Sequence, residues 1–89
     1  MKLYLVHCGF YDRDLCGGIY ESHVNLLIAA DGFENAKISA RENPEFRKRK
    51  MHVDGLQEIV RVGGYAVNLV AVSESGDETV LIGDRHRDL

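Results

Sequence analysis

From Lys2 to Phe10 the chain carries Leu, Tyr and Val on both alternating faces. Tyr4, Val6 and Cys8 line one side, and Leu3, Leu5 and His7 line the other. A strand that is apolar on both faces belongs in the middle of a sheet, because only there are both sides covered. The rest of the chain must therefore supply neighbours on either flank of this strand. With 89 residues, it has material for one domain with a thin margin of stability.

Ile19 to Ala30 reads as the first such neighbour. Val24, Leu26 and Ile28 form its core face. The opposite face begins polar at Glu21, His23 and Asn25 and turns apolar at Leu27 and Ala29. Between the two strands, Tyr11-Asp12-Arg13-Asp14 and Gly17-Gly18 make a polar, glycine-bearing loop. Asp31 is placed as an N-cap with Glu34 at the capping-box spacing, which predicts a helix over 32–43. Phe33, Ala36 and Ala40 give that helix a narrow apolar stripe, and Asn43-Pro44 ends it.

Beyond a basic loop at Pro44 to Lys50, Met51-His52-Val53 reads as a short strand closed by the turn dipeptide Asp54-Gly55. Leu56 to Val62 and Tyr65 to Val72 read as a hairpin around Gly63-Gly64. Ser73 to Asp77 is a loop, and Thr79 to Ile82 can add a short edge strand. The expected fold is α+β: an antiparallel sheet of about four to five strands with one helix on a face, in the order strand-strand-helix-strand-strand. The domain spans 1–82, and the charged residues 83–89 form a frayed tail.

Composition excludes several classes. Apolar residues make up 45%, the value of an ordinary globular protein. The net charge of -3 and pI near 5.7 speak against a main partner of nucleic acid. No apolar run approaches the roughly 18 residues needed to span a bilayer. The apolar start at Met1 to Val6 is cut short by His7, Cys8, Gly9 and Asp12, so it reads as a strand and not as a signal peptide. The cytoplasm is the expected location, with Cys8 and Cys16 as thiols. Cys8 is expected to be buried, and Cys16 to be the more exposed and reactive of the two.

One clustering of reactive groups stands out. Glu21-Ser22-His23 and His52-Val53-Asp54 each set a histidine two residues from a carboxylate, the period that puts both on one face of a strand. Glu21, His23, His52 and Asp54 are therefore the candidate catalytic residues. The sharper reading makes the histidines acid/base groups or metal ligands oriented by the acids. The plainer one makes His23 a cap on the sheet edge and Asp54 a turn residue. His7, Cys8, Cys16, His23 and His52 could in principle hold zinc, but no C-x-x-C or H-x₃-H spacing accompanies them. No metal and no cofactor is expected. Arg47-Lys48-Arg49-Lys50 could touch phosphate, and reads more simply as a solvated loop.

Ile19-Tyr20-Glu21-Ser22-His23-Val24, Met51 to Ile59 and Gly63-Gly64-Tyr65 together resemble a small bacterial family, the domain of unknown function fifteen-forty-three. The likeness runs from Lys2 to Val70, and its most specific parts are E-x-H-x-V and H-V-D. Cys8-Gly9 matches the glycine-cysteine pair that family members carry after the first strand. Gly55 and Leu56 stand where members often have an aromatic residue, and Val24 where they often have an acid. The resemblance implies a shape and no activity. Because some members hold two copies of the domain, it also implies that a single-copy chain pairs with itself.

Two functions follow as expectations. The preferred one is a non-enzymatic homodimeric interaction or regulatory module, with any small-molecule ligand unknown. The alternative is a small hydrolase-like or metal-assisted enzyme using the His/carboxylate cluster.

Overall fold

The computed structural model describes residues 1–14, 16–72 and 80–82, with the side chains of Cys16 and of 80–82 outside the description. The expected loop at Ser73 to Asp77 and the tail 83–89 lie outside the described residues, as does the expectation of a reactive Cys16 side chain.

The two-faced strand is β1 (Lys2–Tyr11). It lies between β2 (Glu21–Ala30) and β3 (His52–Glu58), antiparallel to both. The strand that Thr79 to Ile82 can add is Val80–Ile82, which pairs with Asn25 to Leu27 on the outer side of β2. The order across the sheet is thus β3, β1, β2, then the strand at Val80. The helix α1 (Phe33–Arg41) packs on one face of the sheet.

Even-numbered residues of β1 and β2 make the core: Tyr4, Val6, Cys8 and Phe10 against Leu26, Ile28 and Ala30. Ala36 and Ala40 of α1 close over them, with Phe46 and Met51 at one side. Phe33 is about half exposed and meets Tyr4 edge-on, with ring centroids 5.1 Å apart. Each fully buried side chain of Val or Leu size contributes on the order of 1.5–3 kcal/mol.

Four local expectations are corrected. Asp31 does not cap α1: Gly32 occupies the N-cap position, and Asp31 Oδ1 instead accepts from Asn35 Nδ2 at 2.6 Å. Pro44 ends one helix and also starts another, α2 (Pro44–Lys48), because proline suits the first turn and the Asn43 side chain accepts from Glu45 N at 2.9 Å. The basic run is therefore helical at its start. Asp54-Gly55 is not a turn but part of β3. The Gly63-Gly64 hairpin forms, with both glycines at positive φ (56° and 87°). Its strands, however, are only β4 (Arg61–Val62) and β5 (Tyr65–Ala66), which make a separate two-stranded sheet. Val60, Val62 and Tyr65 are exposed, so no core face holds the hairpin to the main sheet. Val80–Ile82, the last described strand, is β6.

Cys8 is fully buried in the central strand, as expected. Burial, with the Asp54 carboxylate adding to it, pushes its thiol up to about 11 from an ordinary 9.0. Unfolding favours the thiolate, so the stability that the buried thiol contributes is intact below about pH 9 and is lost as pH rises toward 11. We expect the denaturant midpoint to fall more steeply across that window in the wild type than in Cys8→Ala. The difference should amount to about 2 kcal/mol. Parallel pH profiles for the two proteins would refute the assignment.

Candidate functional site

The face of the sheet away from α1 is the odd-numbered one. Pairing puts Gly9 opposite His23 on one side and opposite His52 on the other. Adjacent strands lie about 4.8 Å apart, so β2 and β3 are separated by roughly 9.6 Å. Side chains from both can meet above β1 only where β1 presents nothing between them, and Gly9 presents nothing. A glycine inside a strand marks such a close approach. An ideal Cβ built on Gly9 would stand 2.8 Å from His52 Nε2, 2.5 Å from Asp54 Oδ2 and closer still to Glu21 Oε2.

Over that gap the four candidate residues converge. His23 Nε2 lies 3.2 Å from Glu21 Oε1 and 3.2 Å from Asp54 Oδ2. His52 Nε2 lies 3.2 Å from Asp54 Oδ1 and in direct contact with Glu21 Oε2. Each carboxylate thus gives one oxygen to each imidazole, and the four groups form a closed ring. Each Nε2 faces two carboxylate oxygens, as a shared, three-centre donor does. Glu21, His52 and Asp54 each present one atom able to ligate a metal ion, all within 4.8 Å of one another.

Asp54 reaches this ring because β3 is bulged. Opposite Tyr4 to His7 the partners are Glu58 to Gly55; opposite Cys8 and Gly9 they are Val53 and His52. Asp54 is the extra residue, with no partner of its own on β1. The extra residue sets Val53 and Leu56, three positions apart, both against the core, while His52 and Asp54 serve the other face.

Three further residues shape the site. The ring of His7 stacks on that of His23, with centroids 4.7 Å apart and planes 11° from parallel. Its Nδ1 lies 2.7 Å from Asn25 Oδ1, which fixes Nδ1 as the donor and the ring's orientation. Tyr11 covers the other end, its ring 6.3 Å from that of His52. The site is open to solvent: side-chain exposure is 28% for Glu21, 31% for Asp54, 39% for His23 and 46% for His52.

Both imidazoles therefore share one centre with both acids, while His7 stands beside it and Cys8 faces the opposite side of the sheet. Sequence reasoning missed Gly9, whose place in an otherwise full strand was the available signal. It also missed Asn25 and Tyr11 as neighbours, since their nearness follows from strand register. The chain matches no family model, no curated protein and no solved structure. Among the described residues, no helix is long and apolar enough to cross a membrane.

The convergence above position 9 predicts an asymmetry between two strand glycines. Gly9→Ala should displace the exposed ends of Glu21, Asp54 and His52 and break their convergence, at a cost of up to about 1 kcal/mol. Gly55→Ala, whose new methyl would meet only His7 Cβ at 3.6 Å, should be close to neutral. Chemical denaturation measures both, and equal costs would contradict the packing described.

Proposed function

We propose that the chain binds a divalent transition-metal ion through Glu21, His52 and Asp54, with His23 beside them in contact with both acids, and uses it for metal-assisted hydrolysis. The observation that carries this reading is the ring of two imidazole nitrogens and two carboxylates above Gly9. Donor atoms held about 2.0–2.1 Å from a tetrahedral zinc ion stand about 3.3 Å from one another. The ligand atoms that Glu21, His52 and Asp54 offer all lie within 4.8 Å of one another, near enough for small side-chain shifts to bring them onto one ion. Two carboxylates balance a dication, and the mixed nitrogen and oxygen donors suit Zn²⁺, Mn²⁺ or Fe²⁺ better than Ca²⁺ or Mg²⁺.

The expectation of no metal rests on ligand spacing along the chain. Here the spacing that counts runs across three strands and is set by register. Three protein donors leave the fourth position of a tetrahedral zinc to a water on the exposed side, and zinc lowers the pKa of such a water to about 7. His7, oriented by Asn25 and stacked on His23, is placed to hold that imidazole against the two acids. Both segments that resemble the domain of unknown function fifteen-forty-three supply donors, Glu21 from one and His52 with Asp54 from the other. If kinship with that family holds, as we propose, metal binding is a property to seek throughout it.

Calorimetric titration of the chelator-treated protein with Zn²⁺ tests the reading. We expect one ion per chain. His52→Ala should weaken it by more than the roughly 10–100-fold that loss of an outer-shell partner brings, and His23→Ala by about that factor, with circular dichroism unchanged. Zinc-dependent cleavage of p-nitrophenyl acetate should vanish in His52→Ala and fall in His23→Ala. A wild-type protein that takes up no Zn²⁺, Mn²⁺ or Fe²⁺ would end the proposal.

A homodimer is a second reading, favoured by the same face. Beyond the site it carries Leu3, Leu5 and Leu27, half-buried, and Ala29, exposed, while α1 and Phe46 of α2 cover the other side. Sedimentation equilibrium should then show a dimer at micromolar concentration, and a strictly monomeric species would remove this reading.

A further inference from the structure

At the end of β1, on the side that α2 covers, lies a cleft of about 320 Å³ between the loop after β1 and the end of α2. That is the lower end of the range for small-molecule sites and too small for a polymer. Tyr11 lines the cleft, and its ring neighbours that of His52. Arg13 enters from the loop, and Lys48 and Arg49 from the helix.

The basic residues here are not merely a solvated face. The chain is acidic overall, yet Arg13 and the run 47–50 hold five of its eleven Lys and Arg residues. Arg49 is fixed from two sides: its Nε donates to Glu45 Oε1 at 3.0 Å, and its guanidinium lies over the Phe10 ring at 4.9 Å. Its four remaining N–H groups are thereby pre-positioned. Among the described residues, Arg13 and Lys48 have no carboxylate within 4.0 Å. Asp12 and Asp14 also line the cleft, and Asp12 Oδ1 accepts from Asp14 N at 2.9 Å. The cleft is therefore cationic on its helix side, and its loop side sets Arg13 between two acids. That polarity suits a ligand with one anionic group and hydroxyls, rather than a polyanion.

We infer that this cleft holds the phosphate group of a small phosphorylated ligand. The inference rests on the cleft alone and stands apart from the metal-centre reading. Three cations, one on the loop and two at the end of α2, match the several oxygens of a phosphate better than the two of a carboxylate.

Inorganic phosphate is the probe, titrated at 0.15 M salt and followed through the amide shifts of residues 10–14 and 48–49. Three proteins are compared: wild type, Arg13→Gln/Lys48→Gln, and His23→Ala/His52→Ala. We expect saturable shifts in the wild type and in the histidine variant, weakened at least tenfold in Arg13→Gln/Lys48→Gln. Both replaced cations are exposed, and that variant should still bind Zn²⁺ within about twofold of wild type. Equal phosphate affinity in all three proteins, shifts confined to zinc-loaded protein, or acetate binding as tightly as phosphate would each overturn the inference. Failure of zinc binding with phosphate binding intact would overturn the metal reading alone.

Discussion

The absence of a side chain at one position of the central strand governs what this molecule can do. A sheet holds its neighbours about 4.8 Å apart, and groups on the two strands that flank a third are normally screened from each other by the side chains between. Gly9 removes that screen at the level where β2 offers His23 and β3 offers His52. The four polar groups meet across the strand, and their mutual contacts tie its two neighbours together. The same strand buries Tyr4, Val6, Cys8 and Phe10 on its other side. It thus serves as the floor of a polar site and the centre of an apolar core.

The division between faces explains how so small a protein can carry an exposed charged cluster. The core depends on even-numbered residues and on two alanines of α1 that let the helix lie close. Nothing in the ring of histidines and acids takes part in that packing. Among the described residues Cys8 links the two faces: its thiol, raised chiefly by burial, is raised further by the Asp54 carboxylate across the sheet.

Much of this is legible in the sequence, and the reasons are particular. The double-sided pattern of Lys2 to Phe10 announces the central strand. The alternation in β2 places Glu21 and His23 together and away from the core. The two departures in the second half share a cause: short-range signals favour one conformation, and tertiary contacts decide for another. Asp54-Gly55 looks like a turn because its residues favour turns, yet pairing with β1 holds it extended. Tyr65 to Val72 alternates like a strand, but among the described residues it is paired over Tyr65–Ala66 alone, with one further bond from Val67 N to Val60 O. The pattern allows the two histidine couples to meet without requiring it. Their meeting needs both registers on β1, and register is a relation between segments that no single segment encodes.

The unpaired residue in β3 has a further consequence. Removing one residue from a strand ordinarily turns every later side chain to the wrong side. Excising Asp54 would do the reverse, leaving His52, Val53, Gly55 and Leu56 in unbroken alternation against Gly9, Cys8, His7 and Val6. The acid is a detachable part: a plain ancestral ribbon could have gained it by a single inserted codon without any rearrangement of the interior.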